Sequence, residues 1–263
     1  MESHREIRYD IPSAARTWNC WMGGKDNYDV DREACEAAQQ LYDVAKMATE
    51  SRQFLIRVVR YLASQAGIRQ FLDIGTGLPT MQNTHEVAQS IAPESRIVYV
   101  DNDPIVLAHA RALLTNTTPE GVTDYIDADY HNPDLIISDA HNILNFNQPI
   151  AVMFMGSLGY ASSIETATSI VARVMDAVPS GSYLVHWEGN DLNPGLKELA
   201  DLYKESGAVP YKMQPIEAIR QRFEGLDMVE PGLVPITRWR PDDPEVGQVT
   251  PLEEATGGVG RKP

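Results

Sequence analysis

Apolar positions along this chain follow two rhythms. Through residues 31–66 the spacing is helical. Residues 31–48 are rich in Ala, Glu and Gln, and across 51–66 Phe54, Leu55, Val58, Val59 and Leu62 recur at helical intervals around Arg57 and Arg60. From residue 70 the pattern changes to short, continuous apolar runs at 70–74, 97–101, 122–128, 149–155 and 182–187. Amphipathic stretches near 81–92, 104–115, 133–141 and 162–178 separate them. Strands alternating with helices predict a parallel sheet joined by helical crossovers. Runs that are apolar throughout predict a sheet covered on both faces. Two more helices fit 192–206 and 215–224. Two last strands fit 226–230 and 234–239, with Pro231 and Gly232 between them as in a hairpin. Residues 241–263 carry Pro, Gly and charge without an apolar face and read as an extended tail. The expected organisation is a helical extension or lid over 1–66 packed on the core, an α/β core over 67–240 and an extended tail over 241–263.

Charge narrows the partners. Lys and Arg total 22 against 37 Asp and Glu, a formal charge of −15. That balance opposes a generic grip on nucleic acid or an anionic membrane. Residues 1–10 are polar and lack the apolar segment of a secretory signal. No apolar run approaches the roughly 20 residues of a membrane helix. Two cysteines, Cys20 and Cys35, predict free thiols in a cytoplasmic protein.

The sharpest motif is Phe71-Leu72-Asp73-Ile74-Gly75-Thr76-Gly77-Leu78-Pro79-Thr80. An apolar strand leads into a glycine turn, and a helix is expected after Pro79. Gly75 and Gly77 let the backbone turn tightly and let a ligand approach it. Three readings compete: a turn with no ligand role, a dinucleotide site and an S-adenosylmethionine loop. The dinucleotide motif asks for a third glycine where Thr80 stands. Asp73 would repel a pyrophosphate but could face the ammonium group of S-adenosylmethionine. The next apolar run ends in Asp101-Asn102-Asp103-Pro104. Asp101 could accept both ribose hydroxyls, as an acid does for either cofactor, and Asp103 reads as a helix cap. The third run ends in Asp127-Ala128-Asp129-Tyr130. There Asp129 could accept the adenine amino group and Tyr130 could pack beside the ring. Three acids at three successive strand ends favour an adenosyl ligand.

These residues resemble a known group. The order Asp73-x-Gly75-x-Gly77, Asp101 and Asp129 looks like a class I methyltransferase. More narrowly, the chain resembles an actinobacterial S-adenosylmethionine-dependent methyltransferase family once held as a domain of unknown function. The resemblance rests on Met22-Gly23-Gly24-Lys25-Asp26-Asn27-Tyr28 with Asp31-Arg32-Glu33, the Asp73 loop, Val98-Tyr99-Val100-Asp101-Asn102-Asp103-Pro104 and Glu230-Pro231-Gly232-Leu233-Val234-Pro235. It implies a Rossmann-like, seven-stranded, mostly parallel sheet with an antiparallel last strand and helices on both faces. It also implies S-adenosyl-L-methionine as cofactor, with S-adenosyl-L-homocysteine as product. Cofactor contacts are expected from Asp73, Gly75, Thr76, Gly77, Asp101, Asn102, Asp129, Tyr130, Met155 and Gly156, with Lys25 meeting the methionine carboxylate. Many members carry Leu-His after the fourth strand, where this chain has Leu158-Gly159. That position faces the methyl donor in class I folds, so a role for that His does not carry over.

Trp18 and Trp21 beside Gly23-Gly24 could form a lid, or could pack the N-terminal helices onto the sheet. The loop Met155-Gly156-Ser157-Leu158-Gly159-Tyr160 lacks the Asp/Asn-Pro-Pro-Tyr/Phe string of nucleic-acid amino methyltransferases and the Pro-Cys of cytosine enzymes. With the acidic charge, this favours a small-molecule or peptide acceptor. Tyr160, His186 and Glu188 are the polar candidates for catalysis, His186 reading better as a satisfied core histidine. No His-Glu-x-x-His spacing is present, so no metal is expected. A non-catalytic S-adenosylmethionine binder and an NAD-dependent oxidoreductase are the alternatives.

Overall fold

In this computed structural model the described residues are 7–79, 82–113, 115–242 and 251–263. The chain begins with three helices, α1 (Ala14–Trp21), α2 (Asp29–Leu41) and α3 (Val44–Ser64). There follow β1 (Gln70–Ile74), α4 (Thr84–Ile91), β2 (Arg96–Asp101), α5 (Pro104–Leu113), β3 (Val122–Asp127), α6 (Pro133–Ala140), β4 (Ala151–Met155), α7 (Ile164–Ala177) and β5 (Tyr183–Gly189). The last part holds α8 (Pro194–Glu205), α9 (Ile216–Gln221), β6 (Asp227–Met228), β7 (Val234–Pro235) and β8 (Ala255–Arg261).

All five apolar runs are strands, parallel to one another in the order β3-β2-β1-β4-β5. Alternate residues of each strand serve opposite faces. Phe71, Ile97, Met153 and Val185 share a core with Phe54, Val58 and Leu62 of α3 and Ala88 of α4. Leu72, Val98, Val152 and Leu184 share the other with Ile136 of α6 and Ile170 and Val171 of α7. Two-sided burial is why β1, β2, β4 and β5 carry no regular polar alternation, whereas β3, at the sheet edge, carries Thr123, Asp124 and Asp127 and is only partly buried. α3, which lies within the segment expected as an extension at 1–66, packs against the sheet and supplies much of one core.

Five expectations are corrected. Residues 255–261, expected in the tail, form β8. It lies antiparallel to β5, from Tyr183↔Arg261 to Gly189↔Ala255, and is buried along nearly its whole length. Residues 243–250 of that expected tail lie outside the described residues. The expected hairpin at 226–239 does not pair with itself, since β6 and β7 each pair with β8. The expected helix after Pro79 starts at Thr84, where Asn83 and Glu86 form a reciprocal cap. Thr80 and Met81, at the expected helix start, and Leu114, near the expected end of the next, lie outside the described residues. The cysteines are not free: Cys20 on α1 and Cys35 on α2 form a disulfide. The two helices pack there with the α-carbons 6.3 Å apart, within bridging range. The expected helix at 31–48 is also divided, α2 ending at Leu41 and Asp43 capping α3 through the Lys46 N–H at 3.0 Å.

Candidate functional site

Strand order reverses between β1 and β4, so the loops leaving their carboxyl ends diverge and open a crevice. Gly75 closes its floor. It holds φ +74°, and a Cβ there would stand 2.6 Å from the Ser157 Cβ after β4. Only glycine lets the two loops approach this closely. The Gly75 and Thr76 amides donate to the Val100 carbonyl at 2.8 and 3.2 Å, and the Gly77 amide donates to the Asp101 carboxylate at 2.8 Å. The β1 loop is thus pinned to the end of β2.

Asp101 also accepts from the Asn102 and Asp103 amides at 2.8 and 3.0 Å. Burial pushes its carboxyl up to about 6 against these hydrogen bonds, which lower it. Asp103 caps α5 through the Ile105 amide at 2.9 Å, as expected, and accepts from the Ser13 hydroxyl at 2.6 Å. That contact brings the first turn of α1 to the rim. At the end of β3, Asp129 accepts from the His131 amide at 3.0 Å and lies 2.7 Å from its ring. Tyr130 stacks on His131 at 4.6 Å and donates to the Ser157 carbonyl at 3.3 Å.

These groups line one end of a cavity of about 480 Å³, within the range of small-molecule sites. Of the expected residues, Gly75, Thr76, Gly77, Asp101, Asn102, Asp129, Tyr130, Met155, Gly156 and Tyr160 line it. Trp18 and Trp21 line it too, while also packing against the α3-side core. The other end is apolar, formed by residues such as Val44, Met47, Leu196, Leu199 and Met213.

Four expected residues lie elsewhere. Asp73 is buried behind the loop, where it accepts from the Thr84 hydroxyl at 2.8 Å and does not line the cavity. Burial raises its carboxyl to about 6, and the neighbouring Arg52 opposes the rise. Lys25 is exposed and does not line the cavity. Its motif is a structural clasp: Asn19 Oδ1 accepts from the Asp26 amide and the Asn27 side chain, each at 3.0 Å. Asp31 fastens the same segment through Arg16 at 2.6 Å and the Ser13 and Tyr28 amides, each at 2.9 Å. His186 is the satisfied core histidine expected of it. Its Nδ1 donates to the Phe154 carbonyl at 3.1 Å and its Nε2 accepts from Arg222 at 2.8 Å. Burial and then Arg222 push it down to about 3, so the ring is neutral. Glu188 is buried behind the wall, accepting from the Leu158 amide at 3.1 Å and from the Tyr211 hydroxyl.

Sequence reasoning missed Tyr211, His131 and Trp187, all of which line the cavity. Trp187 ended an apolar run and carried no sign of a site. His131 follows Asp129-Tyr130 directly and could have been found from that spacing. Tyr211 belongs to an irregular stretch between α8 and α9 and had no local signal. Among the described residues, no group of three or more His, Cys, Asp or Glu could hold a metal ion, and no helix is long and apolar enough to cross a membrane.

The comparisons with known proteins bear on the family and the fold. A family model described as S-adenosyl methyltransferase matches residues 1–263. The chain is similar to the crystal structure of a DUF574 family protein from Streptomyces avermitilis, with 37% identity over 98% of this chain and 100% of that one and a TM-score of 0.92. It is similar as well to a proposed methyltransferase from Thermobifida fusca, with 39% identity over 97% of this chain and 96% of that one and a TM-score of 0.88. An S-adenosylmethionine-dependent methyltransferase from Anabaena variabilis, 14% identical over the full length of both chains with a TM-score of 0.51, shares the fold. The search of curated proteins gave no match.

Proposed function

The chain belongs to the S-adenosyl methyltransferase family, and on that premise we propose that it methylates a small, largely apolar acceptor held in the neutral end of the cavity. Its cofactor is S-adenosyl-L-methionine, and neither the nicotinamide reading nor the non-catalytic one finds support in the comparisons. The residues present fit that cofactor. A glycine loop is fixed at the switch point, a carboxylate stands at the end of β2, and an aromatic pair stands beside Asp129.

Bound there, the cofactor supplies an electrophilic methyl carbon on a sulfonium. The protein's part is to hold, align and exclude water. In our reading Gly75, Thr76 and Gly77 present backbone to the ligand, Asp101 accepts from the ribose, and Asp129 with Tyr130 and His131 receives the adenine. Met155 at the end of β4, with Gly156 and Tyr160 after it, faces the reacting carbon. Trp18 and Trp21 cover the site from α1. Alignment of donor and nucleophile can supply on the order of 7–11 kcal/mol of the barrier.

One observation carries the choice of acceptor: the lining is divided by polarity. Among the described residues, the acids that line the cavity are Asp101, Asp103 and Asp129, all at the ends of β2 and β3, and the opposite end is built from aliphatic and aromatic side chains. The test is a methyl-transfer screen in which aromatic and aliphatic neutral acceptors compete with amines and peptides. Turnover confined to charged acceptors would overturn the reading.

A further inference from the structure

Tyr211 joins the cavity to a buried carboxylate. It lines the apolar end, edge-on to Tyr160 at 5.1 Å between ring centres. Its hydroxyl donates to Glu188 and accepts from the Gly189 amide at 2.9 Å, leaving one lone pair of the phenol oxygen. Glu188 is wholly buried, so a proton leaving the cavity reaches it through Tyr211. We infer that Tyr211, backed by Glu188, takes the proton of an acceptor hydroxyl, which makes the acceptor a neutral aromatic alcohol. This rests on the methyl-transfer reading given above.

The electron and proton count closes. The acceptor oxygen bonds to the methyl carbon as the carbon–sulfur bond breaks, and that electron pair stays on sulfur. The acceptor's proton passes to Tyr211 Oη while Tyr211's own proton passes to Glu188. A sulfonium and a carboxylate are both neutralised, so no net charge is left in the pocket. Tyr211 is the group that touches the acceptor, and Glu188 acts through it.

The surroundings suit that role. Burial pushes Glu188 up to about 7, with the Tyr211 hydrogen bond, Arg222 and the Leu158 and Gly159 amides opposing. A base that titrates near neutrality is matched to proton transfer at that pH. Tyr211 itself is held protonated by burial and by Glu188. The other charged or titratable groups facing the pair are Tyr130, Tyr160 and Arg222. Arg222 is already committed to His186 and Gln214. Among the described residues lining this end there is no carboxylate for an ammonium acceptor, Glu188 lying behind Tyr211.

The test uses the full chain with Tyr211→Phe and Glu188→Gln and has three readouts. Calorimetry with S-adenosylhomocysteine comes first: affinity close to wild type in both variants separates this inference from the cofactor reading, and no binding to the wild type overturns both. Infrared titration of the Glu188 carboxyl comes second. The band, absent from Glu188→Gln, is expected to titrate near pH 7 in the wild type and higher in Tyr211→Phe, which has lost a hydrogen bond that lowers it. An unmoved titration would overturn the pairing. Third is methyl transfer to 2-naphthol and related neutral phenols. The wild-type kcat is expected to rise with pH through about 7, to fall at least about 100-fold in Tyr211→Phe and to lose its pH dependence in Glu188→Gln. A kcat unchanged in Tyr211→Phe with only KM raised, or no phenol turned over by protein that binds S-adenosylhomocysteine, would overturn the proposal.

Discussion

The ring of Tyr211 lies across the α-carbon of Gly159: a Cβ on that glycine would stand 2.4 Å from a ring carbon. The space that a larger residue would fill after β4 is taken by a tyrosine from the segment before α9. Gly159→Ala is therefore expected to displace Tyr211 and cost about 1–3 kcal/mol through overpacking. Binding of S-adenosylhomocysteine should stay close to wild type, because Gly159 is not among the residues lining the cavity. Thermal melting and calorimetry on one sample check both halves.

Gly75 makes a harder demand. Its φ of +74° disfavours any side chain, and a Cβ would meet Ser157 at 2.6 Å. Gly75→Ala should push the β1 and β4 loops apart and weaken S-adenosylhomocysteine binding at least about tenfold, equivalent to 1.4 kcal/mol. Circular dichroism should show the sheet intact. Adding Ser157→Gly relieves the contact but not the backbone strain, so affinity should recover only in part.

Glu188 makes stability depend on pH. Its folded value of about 7 lies above the ordinary 4.5. Below pH 4.5 both states hold the proton and the group contributes nothing. From 4.5 to 7 the unfolded chain releases it while the folded chain keeps it, so stability falls as pH rises, and above 7 the loss is complete. Denaturant melts of wild type and Glu188→Gln across this range should diverge in favour of the variant, by up to about 3 kcal/mol. Parallel curves would mean that Glu188 is not buried as described.

The Cys20–Cys35 bridge closes a loop with a sequence separation of 15. Chain entropy assigns such a loop about 3 kcal/mol. Dithiothreitol should lower the wild-type melting midpoint and leave Cys20→Ser unmoved at the lower value. Because α1 carries Trp18 and Trp21 to the cavity, reduction should also weaken S-adenosylhomocysteine binding.

The parallel strands were legible because β1, β2, β4 and β5 each carry a buried, mainly apolar run, and β1 appears at the residues its pattern marks. β8 was not, for a physical reason. Its Ala255-Thr256-Gly257-Gly258-Val259-Gly260-Arg261 run has few apolar side chains, because its neighbours' side chains fill the space beside it. A Cβ on Gly257 would stand 2.5 Å from that of Trp187, and one on Gly260 would meet Phe223 and Leu226 at 3.0 Å. Glycine therefore marks close packing here, although in the sequence it reads as a tail. In the site, glycines and strand-end acids were visible because their spacing along the chain matches their spacing in space. Asp73, one residue inside the strand, accepts from Thr84 and does not line the cavity, a turn of the side chain that the spacing does not reveal. Lys25 stands exposed and does not line the cavity, in a segment whose Asp26 and Asn27 bond to Asn19. Tyr211 was missed because its partners, Gly159 and Glu188, lie 52 and 23 residues away.

The central claim is that the crevice between β1 and β4 holds the adenosyl cofactor, with Asp101 at the ribose. Calorimetric titration of the purified protein, freed of co-purified ligand, with S-adenosylhomocysteine tests it most directly when repeated on Asp101→Ala. The account predicts micromolar binding by the wild type and a loss of at least about tenfold in the variant. No binding by folded wild-type protein, or undiminished binding by Asp101→Ala, would contradict it.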